Sequence, residues 1–340
     1  MRHREIAQQL WMSEGELVAA HAGASISVFG ASLRAVRLQP LWPAIIEALE
    51  PLGELMALTP NESCVHEKTG VYRTVSHTHG VGRVQGGAID LHLFYGNWAH
   101  GFAVTERSET GLRRSLQFFD ACGNSVHKTF LTPRSAGAAY EALVARFADP
   151  SQAVGIVVKP APPAPPDKPD HAVDVRGFRM AWAGMRATRE FFDLLKNFAI
   201  SRTQGLRLAE PRFAKRVDKA CVSDVLNDAS REAVALVASV GSGGAMQRHC
   251  GPVDRIAALG DWINVLDPGF NLRVREDQID SAWIVSKPTV DGLVSSLELF
   301  DARGDNIVMF SGARKPGAHE PSAWRAVIDT ALREHELYAA

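Results

Sequence analysis

The sequence predicts an α+β fold made by tandem duplication of one domain, and three observations predict it. First, one segment is written twice: SLQFFDACG from Ser115 returns as SLELFDARG from Ser296. The pairs Ser115/Ser296, Phe119/Phe300, Asp120/Asp301 and Gly123/Gly304 share one offset of 181 positions (296 − 115). The same offset sets Val104 against Val285 and Asp90-Leu91-His92-Leu93 against Asn271-Leu272-Arg273-Val274. A chance match would not keep one register over that span, and the period is far longer than that of a solenoid repeat. Second, KPAPPAPPDKPD from Lys159 divides the chain. Proline removes a donor and restricts its predecessor, so the stretch predicts an extended linker over 159–171 between halves 1–158 and 172–340. Third, each half runs from helical pattern through alternating strands to a closing helix, the segregated order of an α+β domain.

The elements follow in order. REIAQQL and SEGELVAAH are short amphipathic helices, and Ser13 with Glu16 has capping-box spacing. PLWPAIIEALEPLG predicts a third helix. ELMALTP, SCVHEK, VYRTVSH, AIDLHLFY, HGFAVTE, RRSLQFFDACG and SVHKTFLT alternate apolar positions between Gly/Asn turns, which predicts antiparallel strands. AGAAYEALVARFA closes the half as a helix. In the second half, REFFDLLKNFA, LRLAEPRFAKRVDKA and VSDVLNDAS predict helices, strands run from AVALVASV to NIVMFSG, and SAWRAVIDTALREHEL is the last helix.

Composition narrows the function. The chain has 340 residues, 46% hydrophobic and 22% charged, with net charge −1. That balance is typical of a globular protein and gives no basic surplus for nucleic acid. No apolar run is long enough to span a bilayer, so no membrane insertion is expected. Four cysteines without CxxC spacing argue against a disulfide framework or structural zinc, and predict a reducing cytoplasm. GxGxxG, Walker, HExxH and GxSxG motifs are missing. GSGGAM from Gly241 lacks the lysine of a P-loop and reads as a loop.

Twelve histidines are more informative. His66, His77, His79, His92, His100 and His127 lie in the strand-rich part of the first half. SHTH places two rings on one side of a strand, without an acidic or cysteine partner fixed nearby; solvated histidines are the expectation. Alternation in AIDLHLFY puts His92 on the face opposite Leu91 and Leu93. There an imidazole serves either as an iron ligand or as part of a polar inter-sheet layer.

NESCVHEKTGVY, AIDLHLFYGNW, RRSLQFFDACG, REFFDLLK, LNDAS, DWIN and SKPTVDGLVSSLELFDARGD together resemble the HemS/ChuS/HmuS family of bacterial haemin-utilisation proteins, over nearly the whole chain. The resemblance implies two similar halves, each with a large antiparallel sheet flanked by helices. It implies one haem (haem b), held in a cleft of the second half and covered by the first. It also implies a cytoplasmic protein, monomer or homodimer. Two copies of one domain can serve the two faces of a flat disc, which accounts for the duplication.

The resemblance also assigns residues, with a departure. The family's iron-ligating histidine, just before a Phe-Phe pair, matches Arg189 here, and the arginine of its DLRLF strand matches His92. The two residue types are exchanged. Two outcomes stay open: loss of haem, with Arg189 an ordinary solvated residue, or an inverted site in which His92 ligates iron and Arg189 lies over the opposite face. Positions that reach the haem propionates match Arg202, Lys287 and Arg314, all basic here. His66 matches a second ligand of some relatives, and His249 lies near its counterpart in the other half, with a small gap.

Three function classes remain. One is a haem carrier between an inner-membrane ABC importer and a downstream haem oxygenase, serving iron acquisition. Another is an enzyme that opens the porphyrin with dioxygen and an external electron donor. The third is a haem-free paralogue acting as regulator or scaffold.

Overall fold

The computed structural model describes residues 3–23, 25–28, 31–108, 111–163, 166–315 and 317–337. The first half runs α1 (His3–Gln9), α2 (Glu14–Ala19), β1 (Ser25–Val28), β2 (Ala31–Arg37), α3 (Trp42–Glu47), β3 (Gly53–Pro60), β4 (Cys64–Gly70), β5 (Val75–Thr78), β6 (Val81–Val84), β7 (Asp90–Phe94), β8 (His100–Ser108), β9 (Gly111–Phe119), β10 (Ser125–Ser135) and α4 (Gly137–Phe147). The second half runs α5 (Val175–Ala183), α6 (Glu190–Phe198), α7 (Arg202–Leu208), β11 (Ala214–Val217), α8 (Cys221–Arg231), β12 (Leu236–Gly241), β13 (Ala245–Gly251), β14 (Ile256–Leu259), β15 (Trp262–Asp267), β16 (Phe270–Arg275), β17 (Ser281–Thr289), β18 (Gly292–Phe300), β19 (Asn306–Gly312) and α9 (Ser322–His335).

The duplication is visible in the element bounds. The strands β4/β13, β5/β14, β8/β17 and β9/β18 begin and end 181 positions apart (292 − 111 for the last pair). Pairing repeats too: His100 opposes Phe119 as Ser281 opposes Phe300, and Ser108 opposes Gly111 as Thr289 opposes Gly292. The twice-written FDA-x-G has a local cause. Asp120 Oδ1 accepts from the amides of Cys122 and Asn124, both at 2.8 Å. Asp301 Oδ1 accepts from Arg303 and Asp305, both at 2.9 Å. The aspartate closes the turn, and Gly123 and Gly304 supply its left-handed residue at φ +80° and +81°.

The chain forms two compact units, and they do not follow the sequence halves strictly. The first contains residues 1–61, 65–162 and 240–248; the second contains 62–64, 163–239 and 249–340. In the first unit the strands pair in the order β1-β2-β8-β9-β10-β3-β4, with a second set ordered β13-β7-β6-β5. Its core gathers Trp42, Ile45, Leu55, Leu91, Leu93, Trp98, Leu116 and Phe118 beneath α3 and α4. In the second unit the orders are β11-β17-β18-β19-β12 and β16-β15-β14. Alternation along β18 sends Leu297 and Leu299 to one face and Glu298 and Phe300 to the other. Trp324 of α9 donates its indole N–H to Ser295 O on β18 (3.1 Å), while α5, α6 and α7 build the second core with Val285 and Phe300.

The capping box forms as expected: Glu16 N donates to Ser13 Oγ, and Ser13 N donates to the Glu16 carboxylate. Three features differ from the sequence reading. The strands β1 and β2 lie between α2 and α3. The segment LRLAEPRFAKRVDKA is not one helix, because Pro211 follows the end of α7 and β11 takes the place that residues 33–36 of β2 hold in the first half. And α5 precedes the expected REFFDLLK helix.

Burial in the first unit carries a pH consequence. His127 has no solvent exposure, and burial pulls its pKa from 6.5 down to about 3. The folded protein keeps it neutral while the unfolded chain takes up a proton below about 6.5. The unfolded state therefore binds more protons through that window, and stability falls as pH drops, by ~1.4 kcal/mol per pH unit from this site. Urea unfolding between pH 6 and pH 4 should show a slope steeper in the wild type than in His127→Gln by close to that amount. Equal slopes would contradict it.

Candidate functional site

The strand β7 presents His92 on the open face of its sheet, with Leu91 and Leu93 buried beneath. Its cross-strand neighbours are Arg83 of β6 and Met246 of β13. Arg248 of β13 opposes Asp90 and forms an ion pair with it at 2.7 Å. The pKa of His92 is lowered, first by burial and then by the positive charges of Arg248 and Arg83, with Asp90 acting in the opposite sense. The imidazole is thus held neutral, the state in which a ring nitrogen can bind a metal.

In the second unit the centre of the helix-facing side of β18 is a carboxylate. Glu298 has no solvent exposure. Its Oε1 accepts from Lys287 Nζ (2.5 Å) and Ser296 Oγ (2.9 Å), and its Oε2 accepts from Arg202 Nε (3.0 Å) and Nη2 (2.7 Å). Burial alone would raise its pKa, but the charges of Arg202 and Lys287 and the hydrogen bonds from Lys287 and Ser296 outweigh that and hold it at about 2. Burial lowers the pKa of Lys287 against the opposing pull of Glu298. Two cations share one anion, so a positive charge is left over. Arg202 lies over the rings of Phe191, Phe192 and Phe300, at 5.8, 5.5 and 5.5 Å. Phe192 is 54% exposed and Met309 is half-buried beside the Arg202 guanidinium (Nη2 to Sδ, 3.8 Å). An apolar ring next to a surplus cation suits a flat apolar ligand that carries carboxylates.

The remaining expected residues fall as follows. Arg189 is exposed at the N-terminal boundary of α6, two positions before the Phe191-Phe192 pair. Arg314 donates to Ala318 O (2.8 Å) and to Asp291 Oδ2 (3.4 Å). His66 is fully enclosed in β4, so in this structure it offers no nitrogen to a ligand as large as a porphyrin. His249 stacks on Phe270 at 3.7 Å, and it is not the repeat counterpart of His66. The ungapped match of β4 to β13 pairs His66 with Gln247 instead. His77 contacts Glu47 and Tyr95, not a metal-ligand set with His79.

The sequence reading missed Glu298, Phe192, Met309, Arg83 and Arg248. A signal existed for one of them: SLELF puts a carboxylate at a position whose repeat mate, Gln117, lies in the apolar run SLQFF.

Comparison with known proteins places this geometry. The family model described as the haemin-degrading HemS.ChuX domain matches residues 11–147 and again 199–331. The hemin transport protein HmuS of Yersinia pestis is 33% identical over 327 residues, covering 96% of this chain and 91% of its own length. The hemin transport protein HemS of Yersinia enterocolitica is 35% identical over 330 residues, with the same coverage. Among solved structures, holo-PhuS, a heme-binding protein from Pseudomonas aeruginosa, is 39% identical with TM-score 0.92, covering 97% of this chain and 94% of its own. ChuS, an E. coli heme oxygenase, is 29% identical with TM-score 0.86, covering 97% and 95%. With the domain matched in both halves and relatives similar along nearly the full chain, the protein belongs to the HemS/ChuX family of haemin-degrading domains.

Proposed function

We infer that this protein binds haem and carries it in haem uptake and iron acquisition. The observation that carries the reading is the neutral His92 imidazole on an open sheet face, at the position where the family resemblance expects an arginine. The relatives named above, hemin transport proteins and a heme-binding protein, support the same ligand. Each unit by itself offers a feature that suits haem: the first a neutral nitrogen donor for iron, the second a surplus of cations beside an exposed aromatic ring for its carboxylates. His92 is the proposed iron ligand. Arg202 and Arg314 are the proposed partners of the haem carboxylates, and Lys287 supports Arg202 through their shared Glu298. Arg189 is proposed to meet the haem in place of the family's histidine.

The second reading is haem degradation, favoured by the 29% identity to a heme oxygenase. Haem would then be substrate, with dioxygen and an external electron donor. In both readings the compartment is the cytoplasm, the donor an ABC importer, and, for a carrier, the acceptor a downstream haem oxygenase.

An anaerobic haemin titration followed by oxygen and reductant tests both. A Soret shift complete at one equivalent is expected for binding, and decay of that band to a biliverdin-like product marks turnover. A titration without any shift overturns both readings. Arg314→Ala is expected to weaken haemin binding by about 1–3 kcal/mol, the range for a lost charge-assisted contact. An unchanged titration curve would place the haem carboxylates elsewhere.

A further inference from the structure

Five polar residues without solvent exposure form one chain inside the first unit: Thr129, Tyr72, His127, Thr59 and Gln247. One end fixes the direction of every hydrogen bond in it. Gln247 Nε2 donates to Ala57 O at 3.1 Å, a carbonyl that only accepts. Gln247 Oε1 therefore faces Thr59 and also only accepts, so the Thr59 hydroxyl donates to it at 2.7 Å. With its one proton used, Thr59 Oγ1 accepts from His127 Nδ1 at 3.0 Å, which must carry the ring proton. The neutral ring then accepts at Nε2 from the Tyr72 hydroxyl at 2.7 Å, and the Tyr72 oxygen accepts from Thr129 at 2.8 Å. One arrangement of protons satisfies the whole chain.

Gln247 lies on β13, which the sequence writes in the second half; the fold places residues 240–248, Gln247 among them, in the first unit. Opposite β7, Gln247 meets Leu91, Met246 meets His92 and Arg248 meets Asp90. A slip of one residue would turn Gln247 to the open face and Arg248 into the core. It would also strip the Thr59 hydroxyl of its acceptor, in a place water does not reach.

We propose that this chain is a register lock for β13, and that Thr59, His127 and Gln247 are positioning residues that set Met246 and Arg248 against His92. The link to function rests on the reading of His92 as the iron ligand; the lock itself does not. Beside His92 the charged groups are Asp90 on its own strand, Arg83 on β6 and Arg248 on β13. Only the last comes from the distant segment. The lock is what guarantees that a strand written about 150 residues later arrives in the one register that completes this face.

Nitrogen NMR of the ligand-free protein gives the first test. His127 should be the tautomer protonated at Nδ1, and a ring protonated at Nε2 overturns the chain. Thr59→Val removes the central hydroxyl at nearly constant shape, and Thr59→Ser restores it. In Thr59→Val the amides of residues 246–248 should exchange with solvent at least about tenfold faster. Its haemin complex should show mixed ligation, while Thr59→Ser matches the wild type in both measurements. A folded Thr59→Val with wild-type exchange at these amides overturns the lock. Faster exchange with an unchanged haem spectrum supports the lock and sinks the role of His92. If Thr59→Val does not fold, the His127 tautomer of the wild type still decides.

Discussion

Glu298→Gln is expected to destabilise the second unit by about 3–5 kcal/mol, because it leaves Lys287 and Arg202 without their shared counter-ion. Lys287 is 6% exposed and Glu298 is 0% exposed, so solvent cannot replace the lost charge. The size of the loss follows from the uncompensated cation, not from the worth of the pair. The double variant Glu298→Gln with Lys287→Met, which removes that cation too, should therefore recover much of the stability. Urea unfolding of the single and double variants checks both points. Acid acts on the same group. The Glu298 carboxyl is held at about 2, well below its unfolded value of 4.5. Its contribution is complete above about pH 4.5 and is lost as pH falls through that window towards 2. A loss under about 1 kcal/mol for Glu298→Gln would mean that the two cations are solvated in solution.

The exchange of residue types gives the second large effect. His92→Arg alone should weaken haemin binding on the order of a hundredfold, since arginine stays protonated and offers iron no lone pair. Arg189→Ala should keep ligation and alter the sixth position. The double exchange, His92→Arg with Arg189→His, should restore binding with a spectrum like that of the wild type. A double variant no better than His92→Arg would rule out an inverted arrangement.

Much of this architecture is legible in the sequence because duplication prints its own register. The pairs Asp120/Asp301 and Gly123/Gly304 mark the same turn twice, and the strands around them follow with the offset intact. What stays hidden is of two kinds. The strands β1, β2 and β11 are short and sit among helical patterns, and the pattern over LRLAEPRFAKRVDKA looks helical until Pro211 is given its full weight. The other kind is long-range. Arg248 and Gln247 are separated from β7 by more than a hundred residues, and no local periodicity says that β13 pairs there. For the proposed haem site, His92, Arg202, Lys287 and Arg314 were nameable as candidates from the sequence. The sharing of Glu298 by Lys287 and Arg202 was not, because a carboxylate inside an apolar strand declares a partner without naming it. His249 is the opposite case: matching it to His66 needs a gap, and the ungapped register pairs His66 with Gln247.

His92 is the residue on which the proposed iron ligation depends. Haemin titration of His92→Ala beside the wild type, read at the Soret band, should show a six-coordinate complex at one equivalent in the wild type and its loss in the variant. A His92→Ala protein that binds haemin with the wild-type Soret maximum and affinity would contradict it.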